Sequence, residues 1–329
     1  MSARRRPFVL SLVALAGTLS LAACGSDGST DEASASTADG SFPVTIEHAY
    51  GSTTVEQAPS RIVTVGFNDL DFVLALGETP VATRAYSGYA YKDRPWATQY
   101  AHDIPEVGEM ELQYEKIAQA NPDLIVGTYS LTEQSGYDTL AALAPTIGDL
   151  QSAGGGSGSW KDQLETIGRA LGKEGEATEL RRSVEADFDD AKAANPQFQG
   201  RTAAVAMYMD GDFYIFEAGD PRGDFFTNLG FTTPAQTGSI SPEQLNLLDQ
   251  DTLIVLGATK EKLATDPAFA QLRVVQEDRT VYLGDFGTDV PAALGFASPL
   301  SLPYLLDATV PALAAASDDD PATTVPAVG

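Results

Sequence analysis

Glu115-Lys116-Ile117-Ala118-Gln119-Ala120-Asn121-Pro122-Asp123-Leu124-Ile125-Val126 has an echo in Glu243-Gln244-Leu245-Asn246-Leu247-Leu248-Asp249-Gln250-Asp251-Thr252-Leu253-Ile254, an offset of 128 from position 115 to position 243. Glu115 pairs with Glu243, Ile117 with Leu245, Asn121 with Asp249 and Asp123 with Asp251. Each copy predicts a short amphipathic helix, a turn and a buried strand of the parallel type, over 124–127 and 252–257. Pro122 stops the first helix. Ser241-Pro242-Glu243 opens the second with an N-cap residue, a proline at the first helical position and an acid in the first turn. Other elements recur in the same order ahead of each copy. Residues 62–66 and 203–207 are strand candidates, and each is followed by a helix candidate ending near a glycine, over 71–77 and 225–230. Two α/β lobes of similar plan account for the pattern.

The segment between the lobes predicts helix rather than loose linker. After the glycine-rich 154–158, residues 160–171 place Leu164, Ile167, Ala170 and Leu171 on one face. Residues 173–194 follow with Leu180, Val184 and Phe188 at a spacing of four, and Asn195-Pro196 stops them. A mostly helical connector restricts how far two lobes can swing. The boundaries read as a signal peptide over 1–23, a flexible tether over 24–41 and an N-terminal lobe over 42–159. The connector covers 160–197, the C-terminal lobe 198–316 and a disordered tail 317–329.

The chain opens with Arg4, Arg5 and Arg6, an apolar stretch and then Leu21-Ala22-Ala23-Cys24, the three parts of a secretory signal. The apolar stretch is short for a bilayer span of roughly 20 residues. Its ending resembles a bacterial lipobox, which implies cleavage before Cys24 and lipidation of its sulfur. The expectation is an extracytoplasmic protein anchored to the cell membrane by lipid; the plainer alternative is a secreted protein with a stray thiol. Cys24 is the only cysteine, so no intrachain disulfide can form. Residues 25–40 lack large apolar side chains, the composition of a leash. Twenty Lys and Arg stand against 46 Asp and Glu, a net charge of −26 that deepens once the three signal arginines leave. Such a field excludes nucleic acid as a partner and favours neutral or cationic small ligands over polyanions.

Four passages, in order from about Arg61 to Leu313, resemble the substrate-binding proteins of iron–siderophore ABC transporters, a family that also includes cobalamin and haem binders. They are 61–66 with 74–81; Pro105-Glu106-Val107-Gly108 leading into the first copy of the echo; the connector with Leu171-Gly172-Lys173; and 293–296 with 298–306. The resemblance implies two Rossmann-like lobes joined by a long rigid connecting α-helix, with a ligand cleft between them. It implies a monomer that carries a ferric siderophore to an ABC permease and its ATPase. Iron would enter only within the bound chelate, with no resident cofactor and no metal site on the protein. It also implies that Glu115 and Glu243 meet arginines of the permease, where charge pairing sets register. A helix N-terminus alone would explain an acid at either place but not their equal offset.

Clefts in open α/β sheets lie beyond the carboxyl ends of strands. That rule nominates Asn68, Arg84, Tyr86, Tyr89, Tyr91, Trp96 and Tyr129 in the first half, and Trp160 at the start of the connector. Tyr208, Arg222 and Phe286 follow in the second. Aromatic rings with polar handles and planar guanidinium donors suit an iron chelate wrapped in its own organic ligand. Several siderophore-binding relatives carry an arginine just beyond the Val107-Gly108 position, where this chain has Glu109 and Met110. That departure and the acidic field tilt the expectation toward a neutral or cationic hydroxamate-type chelate. Haem or cobalamin on the same fold is the alternative. A direct metal carrier would need converging imidazoles, and only His48 and His102 exist. An enzyme is the reading from another class. No G-x-S-x-G sits between a strand and a helix, residues 154–158 lack the Lys followed by Ser/Thr that ends a phosphate loop, and no catalytic residue is nominated.

Overall fold

The computed structural model describes residues 40–85, 93–100, 103–130, 132–150, 158–320 and 322–328. Cys24, the signal, most of the tether, Tyr86, Tyr89, Tyr91 and His102 lie outside them. The described chain opens with the antiparallel hairpin β1 (Val44–His48) and β2 (Gly51–Val55). The N-terminal lobe then follows as β3 (Ile62–Thr64), α1 (Asp69–Ala75), β4 (Ala82–Thr83), α2 (Tyr114–Gln119), β5 (Leu124–Val126), α3 (Gln134–Ala141) and β6 (Thr146–Ile147). Its sheet runs β4-β3-β5-β6, all parallel. These strands are short runs of Ile, Leu and Val because both faces are covered. Ile62, Leu124 and Val126 face one apolar cluster, while Val63, Val65 and Ile125 face the other.

Two helices form the connector, α4 (Trp160–Leu171) and α5 (Glu174–Ala194). Ser159 and Asp162 cap α4 reciprocally: the Asp162 N–H donates to the Ser159 hydroxyl at 3.2 Å and the Ser159 N–H to the Asp162 carboxylate at 2.9 Å. Gly172 ends α4 at φ 69°, and the ring of Phe42 occupies the place a side chain would need. The longer helix α5 spans the lobes along its length. Its Ala177 belongs to the N-terminal core, and its Val184 and Phe188 belong to the C-terminal one.

The C-terminal lobe contains β7 (Ala203–Met209), β8 (Asp212–Ile215), α6 (Pro221–Asn228), β9 (Gly238–Ile240) and β10 (Thr252–Leu256). It continues with α7 (Lys260–Leu263), α8 (Pro267–Ala270), α9 (Arg273–Gln276), β11 (Thr280–Tyr282), α10 (Asp289–Gly295) and α11 (Ser301–Ala315). The sheet order is β11-β10-β7-β8-β9. Read from the other edge, β8-β7-β10-β11 repeats the order β4-β3-β5-β6, with one strand reversed. The reversal comes from Asp210-Gly211, both at positive φ, which closes a tight hairpin where the first lobe inserts a helix.

The echo has a structural cause. Asp123 accepts the Ser60 and Arg61 backbone N–H groups, each at 2.8 Å, and Asp251 accepts that of Thr202 at 2.9 Å. Each aspartate thus satisfies donors just before β3 or β7, the strand that pairs with its own.

Two expectations are corrected. The second echo helix is a 3₁₀ turn over Pro242–Leu248, since so short a segment satisfies more of its groups through i→i+3 bonds. The tail is not loose. Arg201 pairs with Asp319, the Val325 N–H donates to Asp278 at 3.0 Å, and Val325 and Val328 pack on the C-terminal core.

Candidate ligand cleft

At the carboxyl end of β3, Phe67 follows Gly66, and at that of β5, Tyr129 follows Thr128; the Phe67 N–H donates to the Tyr129 carbonyl at 2.9 Å. Their rings meet edge-on at 5.8 Å. Phe296, after α10 in the other lobe, lies 5.9 Å from Phe67 and 6.3 Å from Tyr129 between ring centres. All three are half-buried. They form an aromatic bridge between lobes at the strand ends, where planar surface and a phenol can meet an organic ligand.

Beneath the bridge lies a buried acid. Asp69 opens α1 and accepts the Gly66 N–H at 2.8 Å and the Thr128 hydroxyl, holding both turns that present Phe67 and Tyr129. Burial pushes its carboxyl up to about 6, against the pull of those two bonds. Beside it Asn68 donates to the Ala297 carbonyl at 3.2 Å across the lobe junction.

Arg84 is committed to the protein. Its guanidinium donates to four carbonyls: Glu109 at 2.6 Å, Met110 at 2.9 Å, Ser130 at 3.1 Å and Val65 at 3.2 Å. It also stacks 4.1 Å over the Phe67 ring. Arg84 therefore ties together the loops beyond β3 and β5 and the Glu109-Met110 turn, and supports the bridge from behind.

On the facing lobe Arg222, in the first turn of α6, packs 4.0 Å over Phe216. It donates through Nε and Nη2 to Asp220 at 2.9 and 2.6 Å. Burial lowers its pKa, but the bond and charge of Asp220 reverse that, so the guanidinium ends above its ordinary value. The Tyr129 phenol of the other lobe is within its electrostatic reach. Farther along the same sheet, Phe286 and Met209 are about half exposed, and the Phe286 ring rests on the Gly257 backbone. Tyr208 packs on Phe213 at 4.8 Å beneath Lys262.

Residues 62–285 match the periplasmic binding protein family. The chain belongs to that family. As a periplasmic binding protein it is similar to a periplasmic solute-binding protein of Mycobacterium smegmatis, 34% identical, with a TM-score of 0.75 over 82% of this chain and 97% of that one. It is 29% identical over 237 residues to a probable siderophore-binding lipoprotein of Bacillus subtilis, spanning 70% of this chain and 69% of the relative. The fold is shared with the iron-uptake protein PiaA of Streptococcus pneumoniae, solved in complex with ferrichrome, at a TM-score of 0.69 and 24% identity over 83% of this chain and 98% of that one. This periplasmic binding protein is not an enzyme.

Of the residues nominated from sequence, Tyr129 joins the aromatic bridge, Asn68 bonds across the lobe junction beside it, and Arg222 faces from the other lobe within electrostatic reach of the Tyr129 phenol. Trp96 is corrected. It is buried in the C-terminal core, 5.3 Å from Tyr304, and its indole N–H donates to Asp71 of α1 at 3.0 Å. It fastens its loop across the lobe junction, together with Arg94, 3.8 Å from Asp71, and the Ser298 hydroxyl at 2.7 Å. Arg84 is corrected likewise, because backbone carbonyls take its donors. Trp160 packs between the two cores rather than at the strand ends. Tyr208 and Phe286 stand at the strand ends of the second lobe, apart from the aromatic bridge. Phe67, directly after a strand, stands where the strand-end rule points. Phe296 was missed, since nothing local in the sequence marks it. Among the described residues no three His, Cys, Asp or Glu side chains converge as a metal-ligand set, and no helix is long and apolar enough to cross a membrane. His48 bonds Thr53 at 2.9 Å and packs on Tyr137, a structural role.

Proposed function

We propose that this protein captures a ferric siderophore of the hydroxamate type outside the cytoplasm and delivers it to an ABC importer. The observation that carries the reading is the aromatic bridge of Phe67, Tyr129 and Phe296 at the strand ends of two lobes. Rings grip organic edges, which suits iron that arrives already enclosed by its chelator. The names of relatives lend support: a siderophore-binding lipoprotein and a binding protein solved with ferrichrome. The chain carries only two tryptophans, Trp96 at the lobe junction and Trp160 between the cores, so intrinsic fluorescence reports on the space between the lobes. Titrating the purified protein with ferrichrome should quench it saturably, with weaker response to free ferric ion, haem or cobalamin. A response confined to haem or cobalamin overturns the reading.

Delivery is assigned to Glu115 in α2 and Glu243 in the 3₁₀ turn, both exposed at equivalent places of the two lobes. A bond from the Ser241 hydroxyl holds the Glu243 carboxyl below its ordinary range, so it is charged at neutral pH. Beside Glu115 an open hollow of about 370 Å³ includes Glu109, Glu111 and the exposed Met110. Reversing both glutamates to lysine should abolish chelate uptake by cells while affinity in solution persists; normal uptake would remove them from the docking face. Anchoring is assigned to Cys24, and a Cys24→Ala variant should leave the membrane fraction.

A further inference from the structure

Among the described residues near the strand ends, each guanidinium or ammonium is either neutralised by a carboxylate or occupied by backbone. Arg84 serves four carbonyls, Arg94 faces Asp71, and Lys262 lies 3.9 Å from Asp285. Arg222 stands on the facing lobe within electrostatic reach of the Tyr129 phenol of the bridge, and its pairing with Asp220 is bidentate. Among the described residues the Asp220 carboxylate accepts, besides this pair, only the Arg222 backbone N–H, at 2.9 Å. The geometry leaves the Nη1 group of Arg222 able to donate, while the charge of the guanidinium is cancelled one residue-pair away.

We infer that Asp220 sets the charge class of the cargo: by neutralising Arg222 it makes that side chain a hydrogen-bond donor for uncharged hydroxamate or amide oxygens and denies anionic chelates a cationic partner. The inference rests on the ferric-chelate reading and specifies what that reading leaves open. An unpaired arginine in a partly desolvated cleft attracts carboxylate or catecholate oxygens strongly and bidentately. Paired to Asp220, it keeps its planar donors but brings no net charge to the ligand, and the rest of this acidic protein repels anions. Phe216, packed against the guanidinium face, fixes the direction in which the free donors point.

Asp220→Asn isolates the charge. Asparagine is a good N-cap, so α6 keeps its start, and the side chain keeps its volume. Affinities for two probes, ferrichrome (a neutral trihydroxamate) and ferric citrate (anionic), are measured on wild type and variant by fluorescence titration. The ratio of ferric citrate affinity to ferrichrome affinity should rise about tenfold in Asp220→Asn, the scale of one close charge contact. In the double variant Asp220→Asn with Arg222→Gln the ratio should return to the wild-type value. If Asp220→Asn folds poorly, Arg222→Gln alone still decides: ferrichrome affinity should drop several-fold with no gain for ferric citrate. A ratio unchanged in Asp220→Asn, a gain that survives the double variant, or ferrichrome affinity untouched in Arg222→Gln each overturns the inference. Failure of the wild type to bind any ferric chelate would instead sink the carrier reading itself.

Discussion

Asp69 and Asp71 sit two positions apart on α1, both fully buried, in a chain whose other acids mostly face water. In a sequence with 46 acidic residues nothing marks these two as different, because burial is decided by what packs over α1 from the other lobe. Asp69 has a folded-state pKa raised to about 6 by burial, so the native protein takes up this proton at a pH where the unfolded chain does not. Its contribution to stability is therefore present at low pH and is lost as pH rises through about 6. The stability of wild type relative to Asp69→Asn should fall by about 2 kcal/mol between pH 4 and pH 7, readable from urea midpoints at each pH. A flat difference would mean that the carboxyl is not buried as described. Asp71 accepts from Trp96 and Ser298 and faces Arg94. Removing it takes the opposite charge from beside buried Arg94 and an acceptor from the Trp96 indole N–H and the Ser298 hydroxyl. Asp71→Ala should cost about 3–5 kcal/mol in equilibrium denaturation, the range for breaking one side of a buried ion pair.

At the level of elements, the sequence reading succeeds where backbone demands are local. The echo was legible because a donor at the start of a strand needs an acceptor, and an aspartate before the neighbouring strand supplies it in both lobes. The connector was legible because apolar spacing of three and four persists through Phe188. The hairpin at Asp210-Gly211 carried its own turn signal, yet the assumed likeness between halves pointed to a helix after β7 and hid it. Helix ends are equally readable at Gly172, where the left-handed φ of 69° and the Phe42 ring both exclude a side chain. Gly172→Ala should destabilise the protein by about 1–2 kcal/mol in denaturant midpoints, since an L-residue is strained there and Phe42 must move. An unchanged midpoint would show that the junction of α4 and α5 tolerates another backbone path.

For the whole molecule, the cleft was legible only in outline. Strand ends gave Tyr129 and Arg222, but the contacts that close the junction join residues far apart in the chain, such as Asn68 and Ala297, 229 positions distant. No local pattern reports such pairings, which explains why Phe296 was missed and Trp96 was assigned to the wrong surface. Phe296→Ala removes the one ring that the second lobe contributes to the bridge. It should weaken ferrichrome binding about tenfold without a large loss of fold stability, measured by titration alongside thermal unfolding. Unaltered affinity would exclude the bridge from ligand contact. The connector helix α5 also limits how far the lobes can part. Its 21 residues make a rod of about 31 Å that is rooted in both cores, so the two halves cannot gape widely when empty. A transporter touching Glu115 and Glu243 at once would then have to tell full from empty by a change of only a few ångströms in their spacing.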